Sequence, residues 1–123
     1  MRGIPDPDDA RRWIAERRDA VLERLAEVEK RLAEVRTSRA DWTDEEHDPE
    51  GFTLTFEWQQ AEGARAAHQA ELDELELAAA RVAVGSYGIC RSCGLPIPHA
   101  QLELRPARTT CVSCAENSPA GRR

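Results

Sequence analysis

The sequence has little material for a thick hydrophobic core or for a membrane segment. Aromatic residues make up only 5% of its 123 residues, whereas charged residues make up 33%. No apolar run approaches the roughly 20 residues that a membrane-spanning helix needs, so we expect no membrane contact. Alanine, arginine, glutamate and leucine dominate instead, and this mixture is typical of long, solvated helices.

An excess of positive charge and a signal stretch are also missing. The formal net charge is −6, which argues against sequence-specific binding of duplex DNA, because phosphate binding needs a basic face. No apolar signal stretch follows Met1. We therefore predict a cytoplasmic protein, in which thiols stay reduced.

Cysteine is scarce, but its four residues form a pattern. Cys90 and Cys93 make one CxxC pair, and Cys111 and Cys114 make a second pair after seventeen intervening residues. Such pairs bring four thiolates to one tetrahedral Zn²⁺, and Gly94 can take a positive φ just after the first pair. Two disulfides are the competing interpretation, which a reducing compartment disfavours. Because four thiolates leave no open coordination position, we predict one structural zinc ion rather than a catalytic one.

A first helix is predicted from Asp6 to about Arg39. Asp6 is suited to the N-cap and Pro7 to the first turn, and no helix-breaking residue follows before Arg39. The apolar residues recur at steps of seven, four and three, as in a heptad seam: Ile14, Val21, Leu25, Val28, Leu32 and Val35. An apolar stripe of this length needs a partner helix.

A second helix is predicted from about Thr53 to Val84, with Gly85 as the residue past its C-cap. It follows a turn predicted at residues 48–51, where proline and glycine occur. Its seam alternates steps of four and three: Leu54, Trp58, Ala61, Arg65, His68, Leu72, Leu75, Ala79 and Val82. The two helices have similar lengths and a short link, so we expect them to pair antiparallel.

The predicted fold is therefore mainly α. A long antiparallel two-helix coiled-coil hairpin occupies residues 6–85, and a small four-cysteine zinc-finger module follows at residues 86–117. Residues 41–52 form the turn of the hairpin, and residues 118–123 form a disordered tail. The module is too small for a self-sufficient core, so zinc would hold it together. We expect a monomer.

The turn at residues 41–52, here called the acidic tip, has a strong negative charge. It contains no lysine or arginine and six acids: Asp41, Asp44, Glu45, Glu46, Asp48 and Glu50. Crowded carboxylates repel one another and add nothing to a core. Two interpretations stay open: a solvated, partly disordered turn, or a probe that inserts negative charge into a basic or metal-containing cavity.

Histidine and tryptophan add few signals. His99 lies between the cysteine pairs, where it could replace a cysteine as a ligand; we interpret it as a surface residue that opens a short turn from Pro98 to Leu102. His68 falls on the seam of the second helix, and we expect it to be packed or edge-facing rather than a sensor. Trp13 is expected in the core or on the seam.

The residues around the cysteines resemble the DksA/TraR zinc-finger family. The similarity includes the cysteine spacing and the flanking residues of that family: Gly85, Gly88, Cys90, Cys93, Gly94, Ile97, Pro98, Leu102, Arg105, Pro106, Cys111 and Cys114. The two predicted helices are similar to those of the longer, DksA-like members. The resemblance therefore extends over roughly residues 10–115.

This resemblance implies a bacterial transcription regulator that binds RNA polymerase without reading DNA sequence. In the family, the coiled coil enters the secondary channel of the polymerase and its tip approaches the catalytic site. Promoter complexes are remodelled as a result, often together with ppGpp. Such a protein is not an enzyme. Two alternatives remain: a zinc-headed coiled-coil adaptor for another partner, and a Gre-like factor that promotes transcript cleavage.

The resemblance also implies which acids lie at the tip. The family carries two aspartates three positions apart, followed by an alanine two residues later. Asp41 and Asp44 have the first spacing, but Glu46 occupies the alanine position. Counting back from the first cysteine places Asp48 and Glu50 nearest the tip of the family. We therefore predict that these two residues approach the polymerase active site, with Asp44 next.

The ppGpp contacts that the resemblance implies are only partly present. Arg105 matches a basic residue of the family. The lysines on the second helix and after the last cysteine correspond to Glu74 and Ala115. Because two of three cationic contacts are replaced, we predict a weak ppGpp response or none.

Overall fold

The computed structural model describes residues 3–41 and 49–117 of the chain. This part is mainly helical, with helices in the order α1 (Pro7–Asp41), α2 (Pro49–Val84), α3 (His99–Leu104) and α4 (Val112–Asn117). The described residues form no strand beyond an isolated antiparallel bridge between Ile89 and Pro96. None of their helices is long and apolar enough to cross a membrane. The predicted mainly α fold, with two long helices in contact, is confirmed.

The start of α1 is set by Asp6, as predicted. The Asp6 carboxylate accepts a hydrogen bond from the backbone N–H of Asp8 at 2.8 Å, and its carbonyl accepts one from the N–H of Ala10 at 3.0 Å. Pro7 occupies the first helical position, where a backbone N–H would have no partner within the helix, so proline costs no hydrogen bond there. The predicted seam of α1 is buried except at half-buried Val28: Ile14, Val21, Leu25, Leu32 and Val35.

α2 begins at Pro49, earlier than predicted. Proline and glycine favour a turn, but proline also suits the first position of a helix. An acid at the next position, here Glu50, favours a helix start because of the helix dipole. Four acids of the acidic tip (Asp44, Glu45, Glu46 and Asp48) and the predicted tail at residues 118–123 lie outside the described residues.

The C-terminal end of α2 is a Schellman motif at Gly85, where the sequence predicts it. The N–H of Ser86 donates to the Arg81 carbonyl at 2.9 Å, and the N–H of Gly85 donates to the Val82 carbonyl at 3.2 Å. Gly85 has a φ of 79°, which glycine adopts without a steric cost. The chain therefore leaves the helix with these carbonyls already paired.

Residues Ala20–Glu71 form one compact unit, in which α1 and α2 pack side by side. The Arg31 guanidinium on α1 donates to the Glu57 carboxylate on α2 at 3.3 Å. The guanidinium of Arg36 lies 5.6 Å from the centre of the Trp58 ring. Exposed ion pairs contribute little free energy, so burial of the apolar seam is the main force that holds the two helices together.

A second unit contains the residues up to Asp19 and those from Leu72 onward. Its helical part has an apolar core of buried residues from both helices: Ala10, Trp13, Ile14, Leu75, Ala78 and Val82. The seam predicted for α2 is wrong at Ala79, which is exposed, because Ala78 takes the buried position. Both residues are alanine, so the sequence pattern alone could not choose between them.

Gly88 has a backbone conformation and a close contact that other residues tolerate poorly. Its φ is 89°, and a Cβ atom there would lie 2.7 Å from Pro5 Cδ. We expect Gly88→Ala to lower the free energy of unfolding by about 3 kcal/mol or more, because steric overlap adds to the strain of a left-handed alanine. Chemical denaturation of the zinc-loaded protein measures this loss.

Two other alanine variants are matched controls for this change. Gly85 also has a positive φ, 79°, but nothing lies within 4 Å of an added Cβ, so Gly85→Ala should show only the conformational loss. Gly63→Ala, in open space within α2, should stabilise the protein by up to about 1 kcal/mol. Equal losses at Gly85 and Gly88 would show that the contact with Pro5 is unimportant.

Candidate metal centre

The first cysteine pair lies in a tight turn that follows α2. The N–H of Gly94 donates to the Cys90 carbonyl at 2.9 Å, and the N–H of Cys90 donates to the Leu95 carbonyl at 2.8 Å. Gly94 has a φ of 76°, as expected just after the first pair. The turn brings the Cys90 and Cys93 sulfurs close together.

The second cysteine pair lies at the start of α4. Cys111 directly precedes this helix and Cys114 lies within it. The N–H of the first α4 residue donates to the side-chain oxygen of Gln101 at 3.0 Å, and the N–H of Arg91 donates to the Thr109 carbonyl at 2.8 Å. These bonds position the second pair beside the first. No local sequence pattern identifies Gln101 as a capping residue, because it lies in α3 and its side chain caps α4.

The four cysteine sulfurs form one cluster. All of them lie within 4.8 Å of one another, which is compatible with the spacing of about 3.8 Å expected for sulfurs bound at about 2.3 Å to a tetrahedral zinc ion. Among the described residues, no histidine or carboxylate belongs to the cluster. The donor set fits one structural zinc ion, as predicted, and leaves no position for a substrate.

Backbone N–H groups stabilise negative charge on Cys90. The N–H of Cys93 lies 3.5 Å from the Cys90 sulfur, and that of Cys111 lies 3.4 Å away. These hydrogen bonds, that of Cys93 above all, outweigh burial and lower the pKa of Cys90 to about 6. Hydrogen bonding to the Cys111 sulfur raises the pKa of Cys114 to about 12. Thiols must lose their protons to bind zinc, so zinc affinity should fall as the pH falls.

The zinc-finger module also has a small apolar core. Tyr87, Ile97 and Leu102 are at most 2% exposed, and the Tyr87 hydroxyl donates to the Pro106 carbonyl at 2.8 Å. Burial raises the pKa of Tyr87 to about 12, so the hydroxyl keeps its proton at neutral pH. Cys90, at 1% exposed, belongs both to this core and to the sulfur cluster.

His99 packs against the start of the chain and is absent from the sulfur cluster. Its ring lies edge-on to Trp13, with the centroids 5.8 Å apart, and its Nε2 lies 3.0 Å from the Gly3 carbonyl. A carbonyl only accepts hydrogen bonds, so Nε2 carries the proton in this contact. The prediction of a surface residue in a turn is wrong: His99 is half-buried and begins α3. Trp13 is buried, as expected.

The three positions that the resemblance relates to ppGpp line one cavity. Glu74, Arg105 and Ala115, which are far apart in the sequence, surround a volume of about 180 Å³ together with Arg108. The cavity thus has a carboxylate and a methyl group at two positions where the family has cations. The weak ppGpp response stays a prediction.

Comparisons with known proteins agree with this architecture. Residues 85–118 match the family model of the prokaryotic dksA/traR C4-type zinc finger. An uncharacterized protein of Aquifex aeolicus (strain VF5) is 30% identical over 106 residues, which cover 84% of this chain and 69% of that protein. The structure of transcription factor DksA2 from Pseudomonas aeruginosa has the same fold, with a TM-score of 0.51 and 24% identity over 92% of this chain and 88% of that chain. The chain belongs to the DksA/TraR C4-type zinc-finger family.

Proposed function

We propose that this protein is a bacterial transcription regulator that binds RNA polymerase directly. The match to the zinc-finger family model supports the proposal, and so does the fold that the chain shares with the transcription factor DksA2. The observation that carries it is the four-sulfur cluster, placed directly after a pair of long helices in the chain. Four thiolates stabilise structure and offer no reactive position at the zinc ion, so in this proposal the module supports binding and performs no chemistry of its own.

In this proposal, the acidic tip enters the secondary channel of the polymerase. A slim pair of helices can follow a channel that admits nucleotides. The carboxylates of Asp48 and Glu50, with Asp44 next, would make charge-assisted contacts with the catalytic Mg²⁺ or with basic groups around it. The net charge of −6 suits a basic channel better than the phosphates of duplex DNA.

Site-specific cross-linking tests this proposal most directly. A photo-reactive amino acid at position 48 should cross-link to polymerase segments that line the secondary channel. The same group at Glu16, an exposed position of α1, serves as the control and should give a different cross-linking pattern or none. If position 48 does not cross-link and purified polymerase is not retained by the protein, the adaptor for another partner becomes the better explanation.

A consequence of the proposal concerns ppGpp. We expect this nucleotide to change the transcriptional effect little, because Glu74 repels its phosphates and Ala115 offers no cation in the cavity that Arg105 lines. In vitro transcription with and without ppGpp measures the response.

The converse variant sharpens this expectation. Glu74→Lys together with Ala115→Lys would restore cations at both positions and should create a ppGpp response. Arg105→Ala in that background is the control and should remove the response again. A strong response of the unchanged protein would overturn the prediction.

A further inference from the structure

Three arginines converge on one cavity in the unit that contains the zinc-finger module. The cavity has a volume of about 390 Å³ and is lined by Arg81, Arg91 and Arg108, with Ser86 and Thr109 also at its wall. This volume falls in the range of small-ligand pockets. The cavity therefore combines a suitable size with a concentration of hydrogen-bond donors.

The positive charge of these arginines is not neutralised by the described part of the chain. None of the three forms an ion pair with a described carboxylate. Arg81 instead donates to the Ala107 carbonyl at 3.5 Å, and Arg108 donates to the Thr110 carbonyl at 2.9 Å. Burial and the nearby charge of Arg91 lower the pKa of Arg81. Although the net charge of the protein is −6, three mutually repelling guanidinium groups thus lie around one cavity.

Arg108 contributes a second, independent observation. Its Nε is buried, and no acceptor among the described residues lies within hydrogen-bond distance of it. A buried donor without an acceptor is unfavourable and uncommon in native proteins. The described residues thus leave the guanidinium of Arg108, a residue that lines this cavity, incompletely hydrogen-bonded.

We propose that this cavity binds the phosphate groups of a small ligand such as pyrophosphate or a nucleoside triphosphate. Guanidinium groups form paired hydrogen bonds with phosphate oxygens, and the hydroxyls of Ser86 and Thr109 can donate to the remaining oxygens. The C-terminal end of a helix repels anions, but two carbonyls at the end of α2 are already paired in the motif at Gly85.

This cavity differs from the one that the resemblance relates to ppGpp. Arg81 and Arg91 line the cavity proposed here and not the other, whereas Arg105 lines only the other one. The two cavities are neighbours that share Arg108 and Thr109. A variant of Arg91 therefore reports on the cavity proposed here and not on the other.

Calorimetric titration of the zinc-loaded, full-length protein with sodium pyrophosphate tests the proposal. We expect saturable binding of one ligand per chain, which weakens as NaCl is added. Arg91→Ala should weaken binding about tenfold, because a charge-assisted contact is lost. Arg91 is exposed, so this change should leave the fold intact. Arg18→Ala is the control, since it removes an exposed arginine of α1 that lines neither of these two cavities, and it should bind normally.

The outcomes separate the sources of phosphate. ATP titrated in parallel should bind more tightly than pyrophosphate if the base contributes, and equally if only phosphate is recognised; both results support the site. No saturable binding of either ligand, or equal losses in both arginine variants, would overturn it. If circular dichroism shows that Arg91→Ala is unfolded, Arg91→Lys replaces it and must also weaken binding, because lysine lacks the paired geometry. The titration needs no polymerase, so its result is independent of the proposed function.

Discussion

Replacing Cys90 with serine is expected to unfold the zinc-finger module. This residue is 1% exposed. Its sulfur accepts hydrogen bonds from the backbone N–H groups of Cys93 and Cys111, one from each cysteine pair. The change therefore removes a metal ligand and a core residue at once. Structural zinc contributes about 10–16 kcal/mol in model peptides, and a module of this size has no large core to replace it. Zinc content by native mass spectrometry and near-ultraviolet circular dichroism should both show the loss.

Ser92 provides the matched control, because it lies between the first two cysteines and is not a ligand. Ser92→Ala should keep the zinc ion and the melting profile of the unchanged protein. Excess chelator applied to the unchanged protein should reproduce the effect of Cys90→Ser. A full melting profile in chelator, with zinc shown to be absent, would mean that the apolar core around Tyr87 suffices without metal.

Changing Asp48 to asparagine together with Glu50 to glutamine is expected to remove most of the transcriptional effect and to preserve polymerase binding. The amides keep the size and polarity of the side chains but lose the charge that the proposal assigns to them. Charge-assisted contacts contribute roughly 1.5–3 kcal/mol each, so a tenfold or larger loss is expected from the pair. In vitro transcription and a binding titration with purified polymerase measure the two properties separately.

Glu27→Gln together with Glu29→Gln is the control for net charge, since both acids are exposed on α1 and have the same spacing. This variant should behave like the unchanged protein in both assays. Parallel loss of binding and activity in the tip variant would show that the acids only anchor the protein. New short RNAs from stalled complexes, dependent on Asp48 and Glu50, would indicate transcript cleavage instead.

Local signals in the sequence predicted the main features of the fold. The cap at Asp6, the helix end at Gly85 and the spacing of the cysteines each depend on a few neighbouring residues. Such signals can be recognised without knowledge of the rest of the chain. The seam of α1 was also predictable, because large apolar residues recur there without ambiguity.

Features that depend on distant partners were not predictable in this way. Ala78 is buried and Ala79 is exposed. Because the two side chains are identical, their sequence does not indicate which of them is buried. His99 is half-buried because Trp13 and Gly3 reach it from the other end of the chain. The position of Arg81 beside Arg91 and Arg108 at one cavity likewise depends on tertiary contacts, which no periodic pattern in the sequence indicates.

The contacts of residues 3–5 also affect the order in which the protein can fold. Pro5 lies next to Gly88, and the Gly3 carbonyl contacts His99, so residues 3–5 can make these contacts only after residues 88–99 have been synthesised. The unit Ala20–Glu71 has all of its residues as soon as position 71 is made. During synthesis, residues 20–71 can therefore pack first, and residues 3–5 can pack on the zinc-finger module only when the cysteines have emerged. A bulky group attached at Gly3 would therefore interfere with this last docking step.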